Sequence, residues 1–256
     1  IETSIPLISE EALIQEETYV DSEPESLTNI SETEIITEAE PKQNFVSETK
    51  TNIENDKFEE LGIGSLANDE KLLTTKRLYF DIIEKYATKY GLDPELVLAV
   101  ATQERGVHSN TIDEKGAIGL MQIQVSEWKD KHLTVYDYEQ EKNITITFTM
   151  DKISSLEGNI ESGCVILSHY KNISDGNILV ALQSYNNGPG TMETILNAYS
   201  SNRNKKVEEI LLENDLGWLD YRSDKYPGDH IYIENVLRYY SGDIKNLESN
   251  NSKAMS

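Results

Sequence analysis

The 256-residue chain lacks the features that mark several common protein classes. It has one cysteine, Cys164, which excludes an internal disulfide framework, and we expect that thiol to be buried and inert. No run of 18 apolar residues is present, so the sequence offers no candidate membrane-spanning helix. Basic residues are scarce, with 23 Lys and Arg against 46 Asp and Glu. Without a basic patch, nucleic acid is not an expected partner.

Acidic residues are concentrated at the start of the chain. Residues 1–60 hold 17 Asp and Glu against 3 Lys and are rich in Thr and Ser. This composition predicts a disordered acidic tether over 1–68, then one folded domain over 69–245 and a disordered tail over 246–256. The chain begins with Ile1 rather than methionine. A removed signal, a missing anchor and a fragment of a longer protein all fit that start.

Helical periodicity dominates from residue 70 onward. Helices are predicted over 71–90, 93–106, 157–171, 177–186, 191–200, 205–213 and 229–241. Asp229 is the predicted N-cap of the last helix. The exception is 133–150, where alternating apolar and polar residues predict two strands around a polar turn at 139–143. The predicted fold class is therefore mainly α with a small β-hairpin.

Glu104 is a carboxylate at a helix position that should be apolar. Its helix opens with Asp93 as N-cap and Pro94 at the first helical position. Glu104 continues, at the i+7 position, the apolar stripe that begins at Val97. Burial and the negative end of the helix dipole should both raise its pKa. Such a carboxyl suits general acid catalysis, although a helix-terminal glutamate can also simply turn out to solvent.

Three further segments carry polar or conformationally special residues. Residues 116–122 place two glycines beside Met121 and Gln122, just before a new helix. Residues 184–190 offer Tyr185, two amides and two glycines after a helix. Residues 230–236, which include Tyr232, open the last helix. Each segment alone has an ordinary structural explanation as a helix entry, a loop or a packing surface.

In this order and at these spacings, the segments resemble the lytic transglycosylase domain of the soluble, goose-lysozyme-like (SLT) type. Members of that family have a catalytic glutamate at the end of a helix, followed by Gly-x-x-Gly-Leu-Met-Gln, Ala-Tyr-Asn-x-Gly and a late tyrosine. The resemblance spans 75–242 and implies a lysozyme-like α+β fold. Arg105 departs from the pattern, because the family usually has a serine there.

The resemblance implies a lyase that cleaves the β-1,4 bond between N-acetylmuramic acid and N-acetylglucosamine in peptidoglycan and leaves a 1,6-anhydromuramyl end. Glu104 would act first as acid and then as base, without a metal or organic cofactor. The residues implied to bind or orient the glycan are Gly119, Met121, Gln122, Tyr185, Asn186 and Tyr232. The expected protein is a monomer that acts outside the cell or in the envelope, tethered through residues preceding Ile1.

Two other functions remain open at this point. A hydrolytic muramidase would need a second carboxylate about 5–9 Å from the first, and Asp113 and Glu114 are the candidates in the following loop. A catalytically silent module would bind peptidoglycan with the same groove. The sequence does not choose between wall turnover, phage lysis, and conjugation or secretion. The 133–150 hairpin is expected to wall or cover the cleft, or to have no part in it.

Overall fold

The computed structural model describes residues 61–213, 215–223 and 225–242. In chain order its helices are α1 Glu70–Lys89, α2 Pro94–Glu104, α3 Val125–Trp128, α4 Met150–Ser154, α5 Leu156–Ile173, α6 Ile178–Asn187, α7 Pro189–Arg203, α8 Val207–Leu212 and α9 Tyr232–Tyr239, with a 3₁₀ helix at Leu216–Tyr221. Its strands are β1 Ala117–Ile118, β2 Ile123–Gln124, β3 His132–Asp137 and β4 Lys142–Thr147. The predicted mainly α fold with a small hairpin is confirmed.

Helix α2 lies at the centre of the core. Asp93 caps it by accepting a hydrogen bond from the Glu95 backbone N–H at 2.9 Å, and Pro94 fills the first turn, as the sequence predicts. Every side chain from Leu96 to Thr102 is buried. Helices α1 and α9 pack on α2, while α5 packs on α6 and on α1. A helix apolar on all sides must be enclosed by others, which explains why a bundle forms around it.

The two hairpins are antiparallel. Strands β1 and β2 pair Ala117 with Gln124 and form a very short hairpin that the sequence does not predict. Strands β3 and β4 pair along their whole length, from His132 with Thr147 to Asp137 with Lys142 at the tip. The second strand ends at Thr147 rather than continuing to residue 150, because Thr149 caps α4 by accepting a hydrogen bond from the Lys152 N–H.

The tip of the β3–β4 hairpin packs against the carboxyl end of α1. The Tyr138 N–H donates to the Lys89 carbonyl at 2.9 Å, and the Lys89 ammonium lies 3.7 Å from the buried Asp137 carboxylate. At the other end of α1, the charge of Lys71 is close enough to Glu104 to lower its pKa. Lys71 and Lys89 are separated by roughly 27 Å along the helix, at 1.5 Å per residue, so the hairpin tip lies far from Glu104. The tip therefore does not cover Glu104.

The ends of the predicted elements show two further differences. Asp229 does not occupy the N-cap position of α9, which is Ile231; instead, its side chain accepts a hydrogen bond from the Ile231 N–H at 2.9 Å. Leu61–Asn68 form turns, and Leu61 is buried. The Gly64 and Leu66 N–H groups donate to the Leu237 and Arg238 carbonyls, so this segment packs on α9.

The predicted domain limits remain predictions. Residues 1–60 of the predicted tether and the whole predicted tail, 246–256, lie outside the described residues. Within the described residues, no helix is long and apolar enough to cross a membrane. Cys164 is fully buried in α5, as expected, and its burial raises the pKa of the thiol.

Candidate active site

Glu104 ends α2 beside an open polar cleft of about 620 Å³. The residues that line this cleft are Gln103, Glu104, Lys115, Ala117, Gln122, Gln124, Tyr185, Asn186, Gly228, Asp229 and Tyr232. Five of the seven residues predicted for the site are among them: Glu104, Gln122, Tyr185, Asn186 and Tyr232. The cleft therefore joins residues that are far apart in the chain, such as Glu104 and Tyr232, which are separated by 128 positions.

The Glu104 carboxyl has one short hydrogen bond and one cationic neighbour. The Tyr232 hydroxyl donates to Glu104 Oε1 at 2.5 Å. Burial raises the pKa of Glu104 to about 7, while the Tyr232 hydrogen bond and the charge of Lys71 act in the opposite direction. Arg105 is the C-cap residue of the helix, and its charge is not among the groups that shift this pKa, because adjacent residues on a helix point apart.

Lys71 reaches the end of α2 from the first turn of α1. Its ammonium donates to the Gln103 carbonyl at 3.4 Å. Gly106 makes room for the lysine, because a Cβ there would lie 2.7 Å from Lys71 Cε. Burial lowers the pKa of Lys71, whereas Asp69 and Glu104 raise it. Sequence reasoning missed this residue, since nothing in the α1 pattern shows that its first turn meets the end of α2.

The glycine-rich segment is the turn between β1 and β2. Gly119 has a φ of +81°, and a Cβ there would meet the Asn159 amide at 2.1 Å, so only glycine fits. The buried Asn159 side chain accepts a hydrogen bond from the Met121 N–H at 2.9 Å and donates to the Ile118 and Ile153 carbonyls. Asn159 thus fixes the shape of the turn. Its signal in the sequence is a polar residue within an apolar helix.

Met121 and Gln122 have different places in this turn. The Met121 side chain is fully buried and packs against Gly163, and it does not line the cleft. This corrects the expectation that Met121 lines the groove; its carbonyl contributes instead, by accepting a hydrogen bond from the Tyr185 hydroxyl at 2.8 Å. Gln122 does line the cleft, with a φ of +48° and its amide donating to the Gly119 carbonyl. Gly119, which was also expected to bind the glycan, is buried and is not among the residues that line the cleft.

Tyr185 and Asn186 lie in the last turn of α6 and line the cleft. The Asn186 Oδ1 accepts a hydrogen bond from the Asp229 N–H at 2.6 Å. Gly228 passes so close that a Cβ would lie 2.6 Å from Asn186 Oδ1. Burial and the nearby Glu104 raise the pKa of the Tyr185 phenol well above its usual value, so it stays protonated.

The two carboxylates considered as partners for Glu104 are not in the cleft. Asp113 accepts hydrogen bonds from the Lys115 and Ala117 N–H groups at 2.9 and 3.0 Å, which makes it a turn residue. Glu114 is exposed outside the cleft. The second carboxylate that lines the cleft is Asp229, whose Oδ1 and Oδ2 accept from the Ile231 N–H and the Asn235 amide, each at 2.9 Å.

Comparison with known families agrees with this arrangement. The family model described as "Transglycosylase SLT domain" matches residues 81–208, which are 128 of the 256 residues. The chain belongs to the transglycosylase SLT family. The match covers Glu104, the glycine-rich turn and the Tyr185–Asn186 pair, and the resemblance seen in the sequence is confirmed.

Curated relatives include proteins named endo-type membrane-bound lytic murein transglycosylase A. Those of Klebsiella pneumoniae subsp. pneumoniae and Salmonella paratyphi B are each 30% identical over 145 residues. The aligned part is 54% of this chain and 66% of each relative, so it spans just under two thirds of their length. A solved inactive mutant of the lytic transglycosylase Slt from Pseudomonas aeruginosa aligns at 20% identity with a TM-score of 0.44, over 64% of this chain and 23% of that one.

Proposed function

We propose that this SLT family member is a peptidoglycan lytic transglycosylase and that Glu104 is its catalytic acid and base. The observation that supports this most strongly is the setting of Glu104: its carboxyl is hydrogen bonded to Tyr232 at the wall of an open polar cleft, and burial there raises its pKa to about 7. At neutral pH such a group both donates and accepts a proton readily. A carboxyl with an ordinary pKa would be almost fully ionised and unable to donate.

In the proposed reaction Glu104 first protonates the glycosidic oxygen between N-acetylmuramic acid and N-acetylglucosamine. The bond from C1 of the muramyl residue to that oxygen breaks, and the N-acetylglucosamine side leaves with the proton on its hydroxyl. The acetamido carbonyl of the muramyl residue stabilises the positive charge that develops at C1. Glu104 then accepts the proton of the C6 hydroxyl, whose oxygen bonds to C1 and closes the 1,6-anhydro ring. The second step is intramolecular, because the nucleophile is the C6 hydroxyl of the same muramyl residue. No water molecule has to be bound or activated for the attack on C1. One carboxyl is enough for both steps.

Two cleft residues are proposed to hold the glycan near Glu104, and two more to orient the site. Gln122 and Asn186 present amides at the cleft wall, and amides can both donate to and accept from sugar hydroxyl and acetamido groups. Tyr185 and Tyr232 stay protonated and have their hydroxyls on Met121 and Glu104, so they are proposed to orient the wall and the acid rather than to exchange protons.

A hydrolytic muramidase is less well supported, because its second carboxylate must be free to hold water or to attack C1. Asp113 and Glu114 are outside the cleft, and both oxygens of Asp229 accept hydrogen bonds that shape the α9 entry. A module that only binds peptidoglycan is also less well supported. It would have no use for a carboxyl at a position where ionisation is unfavourable. The proposed substrate places the protein at the cell wall, outside the cell or in the envelope.

Clearing of a peptidoglycan suspension tests the proposal. Wild-type protein should lower the turbidity of purified sacculi, and Glu104→Gln should abolish clearing while the variant still sediments with sacculi and its thermal midpoint is no lower than that of the wild type. Glu114→Gln, which removes an exposed carboxylate near the same cleft, is the matched control and should clear normally. Clearing by Glu104→Gln at the wild-type rate would refute the assignment of Glu104.

A further inference from the structure

A largely buried ion pair joins Arg222 to Glu234 in α9, with the Glu234 side chain 21% exposed. The Arg222 guanidinium, whose side chain is 7% exposed, donates through Nη1 and Nη2 to the two Glu234 carboxylate oxygens at 2.9 and 2.6 Å. Its Nε donates to the Leu219 carbonyl at 3.0 Å. Neither member of the pair lines the cleft. Burying two charges is costly, so a pair in this position calls for an explanation beyond stability.

Arg222 is also bound to α6 through a fully buried amide. Its Nη1 donates to Gln183 Oε1 at 3.3 Å, and Gln183 Nε2 donates to the Asp229 carbonyl at 2.9 Å. Since Arg222 has only donors, it determines which end of the amide faces it, and the NH₂ group is left pointing at Asp229. The guanidinium thus orients Gln183, and Gln183 in turn holds the Asp229 backbone.

Asp229 is held at each of its polar groups. Its N–H donates to Asn186 Oδ1, and its carbonyl accepts from Gln183 and from the Tyr232 N–H at 3.2 Å. Its carboxylate oxygens accept from Ile231 and Asn235. Tyr232 follows within one turn, so the position of Asp229 determines where the first turn of α9 begins and where the Tyr232 hydroxyl points.

We propose that the Arg222–Glu234 pair is a positioning element that acts through Gln183 and Asp229 to hold the Tyr232 hydroxyl on Glu104. This inference rests on the proposed function, since it concerns how the acid is held. The pair touches no reacting atom. Its effect is to restrict α9 and the end of α6 to one relative placement, in which the cleft wall and the acid meet.

The consequence of loosening this network is a change in the proton affinity of Glu104. The groups that face Glu104 are Tyr232 from α9, Tyr185 from α6 and Lys71 from α1, and Asp229 and Lys115 share the cleft. The Tyr232 hydrogen bond lowers the pKa of Glu104. Loss of this hydrogen bond should therefore raise the pKa of Glu104. The protonated carboxyl then remains populated at higher pH, and the alkaline limit of activity moves to higher pH.

The test replaces both charges together, by Arg222→Met and Glu234→Met in one chain. Replacing a buried pair by apolar side chains of similar volume avoids an unpaired buried charge, so the fold is expected to be kept. We expect kcat for release of soluble muropeptides to fall by roughly tenfold, as for a misplacement of somewhat less than 1 Å, with KM little changed. The alkaline limb of the kcat profile should move to higher pH.

Two further variants separate positioning from general stability. Lys89→Met breaks partly buried ion pairs with Asp137 and Glu161 at the far end of α1, and it should lower the thermal midpoint without moving the alkaline limb. In a Tyr232→Phe background the limb is already shifted, so the double Met replacement should shift it no further. An equal shift in both backgrounds, or no shift in either, would overturn the inference.

Failure of the inference can be told apart from failure of the proposed function. Titration of Glu104 by ¹³C NMR in the wild type and in the double Met variant needs no turnover. A higher pKa in the variant supports the positioning role even if sacculi are not cleared, whereas an unchanged pKa refutes it even if they are.

Discussion

Replacement of Glu104 by Gln should make the folded protein more stable at high pH and not at low pH. The pKa of Glu104 is raised from 4.5 to about 7 in the folded state. A raised pKa means that the stability associated with the bound proton is full below pH 4.5 and is lost as the pH rises through 7. At 1.36 kcal/mol per pH unit the loss is about 3 kcal/mol, and we expect about 2 to 3 kcal/mol because the cleft is open to solvent.

Urea unfolding of the wild type and of Glu104→Gln between pH 4 and pH 8.5 measures this loss. The difference in the free energy of unfolding between the two proteins should grow in favour of the glutamine across that range and level off above pH 8. Glu114→Gln, an exposed carboxylate in the next loop, controls for loss of a negative charge in general. A difference that does not depend on pH would refute the view that burial keeps Glu104 protonated near neutrality.

Three other predictions concern the surroundings of the site. Lys71→Met removes a charge that lowers the pKa of Glu104, so the alkaline limb of the activity profile should move to higher pH, while Lys71→Arg should leave it in place. Asn159→Ala removes three buried hydrogen bonds from the glycine-rich turn. It should lower the free energy of unfolding, measured by thermal unfolding, by about 2–4 kcal/mol and should abolish clearing. Burial opposes ionisation of Glu161, but hydrogen bonds from Lys152 and Tyr90 outweigh it and lower its pKa. Glu161→Gln should therefore destabilise the protein at pH 7, and the difference should shrink as the pH falls, because a lowered pKa contributes stability that acid removes.

The helices were predictable where local signals are strong. Asp93, Pro94 and the apolar residues of α2 give both its limits and its burial, and the alternation in β3 and β4 gives the larger hairpin. The sequence does not predict β1 and β2, because strands of two residues have no period to detect. It places the start of α9 three residues too early, because Asp229 binds the Ile231 N–H from outside the helix.

The site was predictable for residues that carry their own chemical signal. Glu104 is recognisable as a charge on an apolar stripe, and the glycines around Met121 mark a special backbone. The groups that tune and hold the acid were not predictable in the same way. Lys71 and Arg222 are ordinary basic residues in sequence, and their roles follow from contacts across 32 and 39 positions. Met121 shows the opposite error, because its prominence in the motif reflects packing and a carbonyl rather than a side chain in the cleft.

Mass spectrometry of the muropeptides released from purified sacculi tests the central claim most directly. If Glu104 acts as acid and then as base on the C6 hydroxyl, the wild-type products should end in 1,6-anhydromuramyl residues, each 18 Da lighter than the hydrolysed form because no water is added. Digestion in H₂¹⁸O should leave these ends unlabelled. Reducing muramic ends that carry ¹⁸O would contradict the account and would show that water, rather than the substrate's own hydroxyl, attacks C1.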